Sequence, residues 1–218
     1  MQVMMIRTIG ITAIMLLIGF SVRGQTDPDI FFHAVSTGNI EKLTQLLEQG
    51  ADPNIKSPVG ATPLFHAVWS NRVESAELLI KYGADVNKIC TDYGLPIVHA
   101  ARMGNPGMIV LFLNHNADPD ARDGDGKTAL MVAIDQEHTR AACVLIKKGA
   151  DVNARGPNNQ TPAHYAAIHN DVKTLEKLKN AGADMKLTND KGETPLKIAE
   201  RFGHTEATEF LKEKTDDR

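Results

Sequence analysis

The sequence predicts an all-helical repeat protein, a solenoid that stacks one helix–turn–helix unit. Three observations carry that expectation. Gly-Ala-Asp begins at Gly50, Gly83, Gly149 and Gly182, and Asn116 opens the variant Asn-Ala-Asp between the second and third, so the interval is 33 residues throughout. A second series keeps step with it, opening at Thr62, Leu95, Thr128, Thr161 and Thr194 with Thr-Pro-Leu or a close variant. Two series in phase at such a period mark a repeat architecture. The third observation is composition. Aromatic residues are only 5% of the 218, so the core must be filled by Ala, Leu, Ile and Val.

The elements of one unit follow from local chemistry. Thr62 places a hydroxyl where free helical N–H groups need an acceptor, and Pro63 occupies the first helical position, where a missing N–H costs nothing. A short alanine-rich helix over 63–70 follows. Polar residues then break the chain, and a second helix over 74–82 carries Leu and Ile at helical spacing. Asn105 and Pro106 repeat the cap-plus-proline device at the start of another second helix. The helix ends at the glycine of Gly-Ala-Asp, where the chain turns left-handed and glycine meets no Cβ penalty. Asn116 fits that rule, because asparagine is among the non-glycine residues that visit this region. A Gly/Asp/Asn-rich extended turn, such as 121–126, leads to the next unit.

The N-terminus differs in kind. Residues 1–24 hold no acid, and Arg7 precedes an apolar run over 9–20. Spanning a bilayer takes roughly 20 residues, so the run is short for that, but it suits the apolar region of a secretory signal. Val22 and Gly24 offer a small-residue cleavage site, leaving Gln25 first. The sequence thus divides into a signal peptide, 1–24, and a repeat domain of about six units, 25–218. Its expected location is periplasmic or secreted, and an uncleaved anchor is the alternative. The net charge of −3, made more negative by loss of Arg7 and Arg23, lacks the basic excess of a nucleic-acid binder.

A 33-residue unit with Thr-Pro-Leu, paired alanines and a closing Gly-Ala-Asp-Val-Asn resembles the ankyrin repeat. The resemblance runs from about Asp27 to Lys212, with atypical terminal units. Departures are Tyr93 for an expected Gly, Leu95 for Thr, and Glu137 for the Gly between helices. The resemblance implies stacked antiparallel helix pairs, hairpin-like fingers on one side, and a concave face formed by fingers and first helices.

Candidate chemistry is sparse. His33, His66 and His99 stand 33 residues apart, one per unit. Stacked helices lie about 8–10 Å apart, whereas zinc ligands sit at about 2.0–2.1 Å from one ion, so three such histidines cannot share a metal. They are expected to be packed helix residues bonded to backbone or to one another. His164, one place earlier in its unit, is expected to orient the entry turn. Asp123, Asp125 and Gly126 imitate part of a calcium loop, but Ala121 and Val132 stand where its first and closing ligands belong. No hydrolase or phosphate-loop motif occurs. Cys90 and Cys143 lie on different units and faces, beyond the roughly 4.4–6.8 Å between Cα atoms that a disulfide needs, and are expected to be free thiols.

What remains is a surface. Residues at the ends of first helices and in the fingers can vary without disturbing the core, and Trp, Tyr, Arg and Met are the types enriched at binding hot spots. Trp69, Ile89, Tyr93, Arg102, Met103, Arg122, Lys127, Arg155, Ile168 and His169 are the candidate partner-binding residues. The reading is a monomeric protein-binding module that is not an enzyme, with no cofactor, metal or catalytic residue, and with neither nucleic acid nor, once mature, a membrane as partner. The alternatives are a hydrolase with an unconventional His/acid site and a binder tethered through its uncleaved N-terminus.

Overall fold

A computed structural model describes residues 27–90 and 94–213. The proposed signal, 1–24, and Tyr93 lie outside the described residues. Twelve α-helices alternate as inner and outer members of six units: α1 Pro28–Thr37, α2 Ile40–Glu48, α3 Pro63–Trp69, α4 Val73–Lys81, α5 Pro96–Arg102, α6 Pro106–Asn114, α7 Ala129–Asp135, α8 Thr139–Lys147, α9 Pro162–Ile168, α10 Val172–Asn180, α11 Pro195–Phe202 and α12 Thr205–Glu213. Odd-numbered helices pack on one another in order, and even-numbered helices form the second layer behind them. Among the described residues there is no strand. Two isolated antiparallel bridges, Cys90 with Gly94 and Arg122 with Thr128, close fingers between units.

Two columns of side chains run the length of the stack. Ala34, Ala67, Ala100, Ala133, Ala166 and Ala199 are all buried where inner helices approach one another. Leu46, Leu79, Phe112, Leu145, Leu178 and Leu211 are buried at the matching position of the outer helices. Small residues permit the close approach, and large ones fill the space between the layers.

Helix ends obey the expected chemistry. Thr62, Thr128 and Thr194 accept hydrogen bonds from the N–H groups of Phe65, Met131 and Lys197. Leu95 has no side-chain acceptor and makes no such bond. The helices expected over 63–70 and 74–82 each end one residue sooner, as ends fray into a turn. Asn116 stands at φ 63°, as its place in the glycine series requires.

A second left-handed position lies between the two helices of every unit. Gly38, Asn71, Gly104, Glu137, Asn170 and Gly203 have φ between 53° and 74°. Glu137 is the misfit, since a Cβ there crowds the backbone at a cost of about 1–2 kcal/mol. Gly104 is needed for a further reason. A Cβ on it would stand 2.6 Å from the His138 ring, which passes over it to donate from Nε2 to the Arg102 carbonyl at 3.1 Å.

Polar side chains tie unit to unit at fixed offsets. Asn54 donates to the Gly83 carbonyl and accepts from the Asp85 N–H, and Asn153 repeats the arrangement with Gly182 and Asp184. In the fingers, Arg122 donates from one Nη1 to the carbonyls of Gly126 and Arg155, at 2.7 and 2.8 Å. Arg155 repeats this on Asn159 and Thr188, at 3.1 and 2.6 Å. Each arginine therefore closes its own finger and fastens it to the next. The cysteines are free, Cys90 buried and Cys143 half-buried. The Cys90 Sγ lies 3.5 Å from the Thr62 hydroxyl, beside Ala61 and Phe65.

Two sets of variants test this framework by thermal melting. Glu137→Gly should gain about 1 kcal/mol, or roughly 2–4 °C for a chain of this size. Gly104→Ala should cost clearly more than Gly203→Ala, since both are left-handed but nothing lies within 4 Å of a Cβ at Gly203. Equal losses would show that His138 does not need the space above Gly104.

The finger arginines admit a separate measurement. Arg155→Ala should lower stability by about 1 kcal/mol, a modest figure because the guanidinium is exposed and its charge screened. An unchanged melting temperature would mean that the two carbonyl bonds add nothing and that the residue is free to serve a partner.

Candidate functional site

The face built by the first helices and fingers divides into three chemical regions. The first is aromatic. Trp69, the last residue of α3, is 58% exposed. Its indole lies flat on the His99 ring of α5, with centroids 5.5 Å apart and planes within 10°. Phe65, one helical turn earlier, backs both rings at 6.3 Å from Trp69 and 4.6 Å from His99. The arrangement repeats one unit earlier without a tryptophan, where Phe32 lies 4.7 Å from His66. Exposed Val59 and Ile89 stand in the two fingers that flank α3.

These contacts correct one expectation. His33 is exposed rather than packed, and His66 and His99 are packed but their Nε2 atoms are buried with no hydrogen-bond partner. The cause is local: aromatic residues of the preceding unit cover the rings where backbone or a second histidine would have to reach. Burial disfavours the imidazolium form and lowers both pKa values. For His99 burial together with the Arg102 charge brings it to about 4.

The second region is charged and internally paired. Lys127 reaches from its finger to the Asp135 carboxylate at 2.7 Å, with its ammonium 5.3 Å from the centre of the Tyr165 ring. The other Asp135 oxygen lies 3.4 Å from His169 Nε2, and Glu137 lies 3.7 Å from His169 Nδ1. Burial would raise the Asp135 pKa, but the hydrogen bonds and charges of Lys127 and His169 outweigh it and hold the carboxyl below its ordinary value. Burial, together with the charges of Asp135 and Asp123, pushes the Tyr165 hydroxyl up to about 12. Arg102 pairs with Asp123 at 3.1 Å.

In the third region Glu193 and Arg201 pair at 2.9 Å, in the register of Lys127 and Asp135 but with the signs reversed. The Asn189 hydrogen bond and the Arg201 charge keep the Glu193 carboxyl below its usual range. Phe202 is 49% exposed, with the Arg201 guanidinium 4.7 Å above its ring.

The candidate residues thus fall into groups. Trp69, Ile89 and Met103 are exposed and apolar. Arg102 pairs with Asp123, and Lys127 and His169 share Asp135. Arg122 and Arg155 are exposed, and both hold finger backbone. Ile168 is half-buried and packs on the core. His164 does orient its entry turn. Its Nδ1 accepts from the Thr161 N–H at 3.0 Å and its Nε2 donates to the Glu193 carbonyl at 3.0 Å. Among the described residues, no group of three His, Cys, Asp or Glu side chains is disposed to hold a metal ion. No helix among them is long and apolar enough to cross a membrane.

Sequence reasoning missed Phe65 and His99 as the platform beneath Trp69, and Val59 as an exposed apolar residue. A phenylalanine one place before each of His33 and His66 was the available signal for the platform. An apolar Val59 in a finger was the signal for the rest.

A search of curated protein sequences gives no match. A family model described as ankyrin repeats (3 copies) matches residues 5–90 and 88–156, and one described as ankyrin repeats (many copies) matches residues 164–211. Such repeats generally mediate protein–protein interaction. With matches over most of its length and the helix-pair stack they describe, the chain belongs to the ankyrin repeat family.

Proposed function

We propose that the chain is an exported binding module that holds a protein partner against its first helices and fingers, with Trp69 as the anchor. The observation that carries this reading is the half-uncovered indole held flat on His99. A large apolar ring whose two torsions are set before the partner arrives gives up little entropy on binding. Val59 and Ile89, in the fingers on either side of α3, are exposed and apolar too. Export rests on the acid-free, apolar segment 1–24. A hydrolase would need an acid, a base and a donor set around one reacting atom. Here His99 lies in the aromatic stack, His164 is bonded to Thr161 and Glu193, and His169 is bonded to acids.

Affinity capture from the extracytoplasmic fraction, using wild type and Trp69→Ala side by side, tests the binding half. The variant should lose roughly 2 kcal/mol or more of affinity, a hot-spot effect, while its folding stability falls by only about 1 kcal/mol, the value of one ring stack. Unchanged binding, or a stability loss of about 3–5 kcal/mol as for a core aromatic, overturns the assignment of Trp69. Intact mass tests the export half. The recovered protein should begin at or near Gln25, and a species beginning at Met1 in the membrane fraction overturns it.

A further inference from the structure

The buried histidines of the aromatic platform carry an inference that rests on the binding reading above and concerns its regulation. A buried nitrogen without a partner costs free energy in any protein, and each native instance calls for a reason. His66 and His99 present two such atoms in adjacent units, one of them directly beneath the exposed Trp69. We propose that His99, with His66 behind it, is an acid-release element: protonation drives its imidazole out of the aromatic platform, unseats Trp69 and loosens the hold on the partner.

The geometry leaves an imidazolium nowhere to go inside the stack. His99 is 6% exposed and lies against both Phe65 and Trp69, with no acceptor at Nε2. Among the described residues no acid is bonded to either ring. On α1 the titratable groups are Asp29 and His33, on α4 Glu74, Glu77 and Lys81, on α5 Arg102, and on α7 Asp135. Among the described residues of the adjoining finger they are Asp85, Lys88 and Cys90, and in the next finger Asp123 pairs with Arg102. The acids of α4 are exposed, and Asp135 is held by Lys127 and His169. Among the described residues Arg102, itself paired with Asp123, is the one charge that bears on His99, and it disfavours a second cation there. His66 feels burial alone.

The direction of the effect follows from linkage. Folded His99 binds its proton more weakly than the unfolded residue, about 4 against 6.5. Between those values the unfolded or opened state holds more protons. The stack is therefore fully stable above pH 6.5 and is weakened steadily as pH falls toward 4.

Trp69 is the chain's only tryptophan, so its emission in the free protein reports this one stack without any partner. Titrated from pH 8 to 3.5, wild type should show a change in emission centred more than one unit below the ordinary histidine value. His99→Phe keeps an aromatic ring in place, removes the proton site, and should be flat over the same range. A flat wild-type curve, or the same curve in both proteins, overturns the proposal. Should the variant fail to fold, the imidazole resonances of wild type read His99 directly, and a midpoint near 6.5 would overturn it. A partner captured at pH 7.5 should wash off wild type more readily at pH 4 and stay on His99→Phe. Equal release from the two proteins also overturns the proposal. If Trp69→Ala binds normally, the anchor reading fails while the emission titration still decides the fate of the stack.

Discussion

Close approach of the inner helices at a column of alanines is the constraint on which the rest depends. Ala34, Ala67, Ala100, Ala133, Ala166 and Ala199 occupy one position of the unit, and none exceeds 2% exposure. A larger side chain at any of them would push two helices apart and dislodge every contact that spans the same gap. That spacing lets Asn54 and Asn153 reach the next helix end, and lets Arg122 and Arg155 reach the next finger. It also brings the rings of Phe32 and Phe65 onto His66 and His99. The stack is quasi-one-dimensional, so each unit touches only its neighbours and these terms act pair by pair.

Within that spacing the polar contacts alternate. At the start of the second helix Asn39, Asn105 and Asp171 cap their own helix. Arg72, His138 and His204, in the intervening units, reach back instead to the carbonyls of Ser36, Arg102 and Ile168. A short acceptor satisfies local N–H groups, whereas a longer donor satisfies the last carbonyls of the preceding inner helix. One position therefore serves two needs, and each unit leaves to its neighbour what it does not do itself.

The sequence was most informative where one residue type answers one backbone demand. Asn116 among glycines, threonine before proline and Asn105 before Pro106 were each readable because a cap or a left-handed turn admits few residues. Glu137 shows the limit. Its place in the unit was legible as a missing glycine, but the chain keeps the left-handed turn at φ 59° and bears the strain. Less legible were contacts set by the stacking offset. Arg122 and Arg155 carried the composition of a binding surface, yet their guanidinium groups hold backbone 33 residues on. Which atoms lie across the gap between units cannot be read from residue type. The same is true of Trp69, whose exposure was foreseeable from its position at a helix end, while its support by His99 required the geometry.

The division of the face bears on where affinity can reside. Arg102, Lys127, Asp135, Glu193 and Arg201 are all engaged with opposite charges of the same chain. Lys127–Asp135 and Glu193–Arg201 place opposite polarity at equivalent sites two units apart, so the region projects little net field. A partner that sought these charges would have to break internal pairs first, and the exchange of one ion pair for another gains little. Val59, Trp69 and Ile89 have no such commitment, and covering them removes apolar area from water without a compensating loss. The paired charges can still reject a partner that would bury one of them unpaired. On the proposed binding reading, attraction falls to the aromatic end of the stack and discrimination to the charged end.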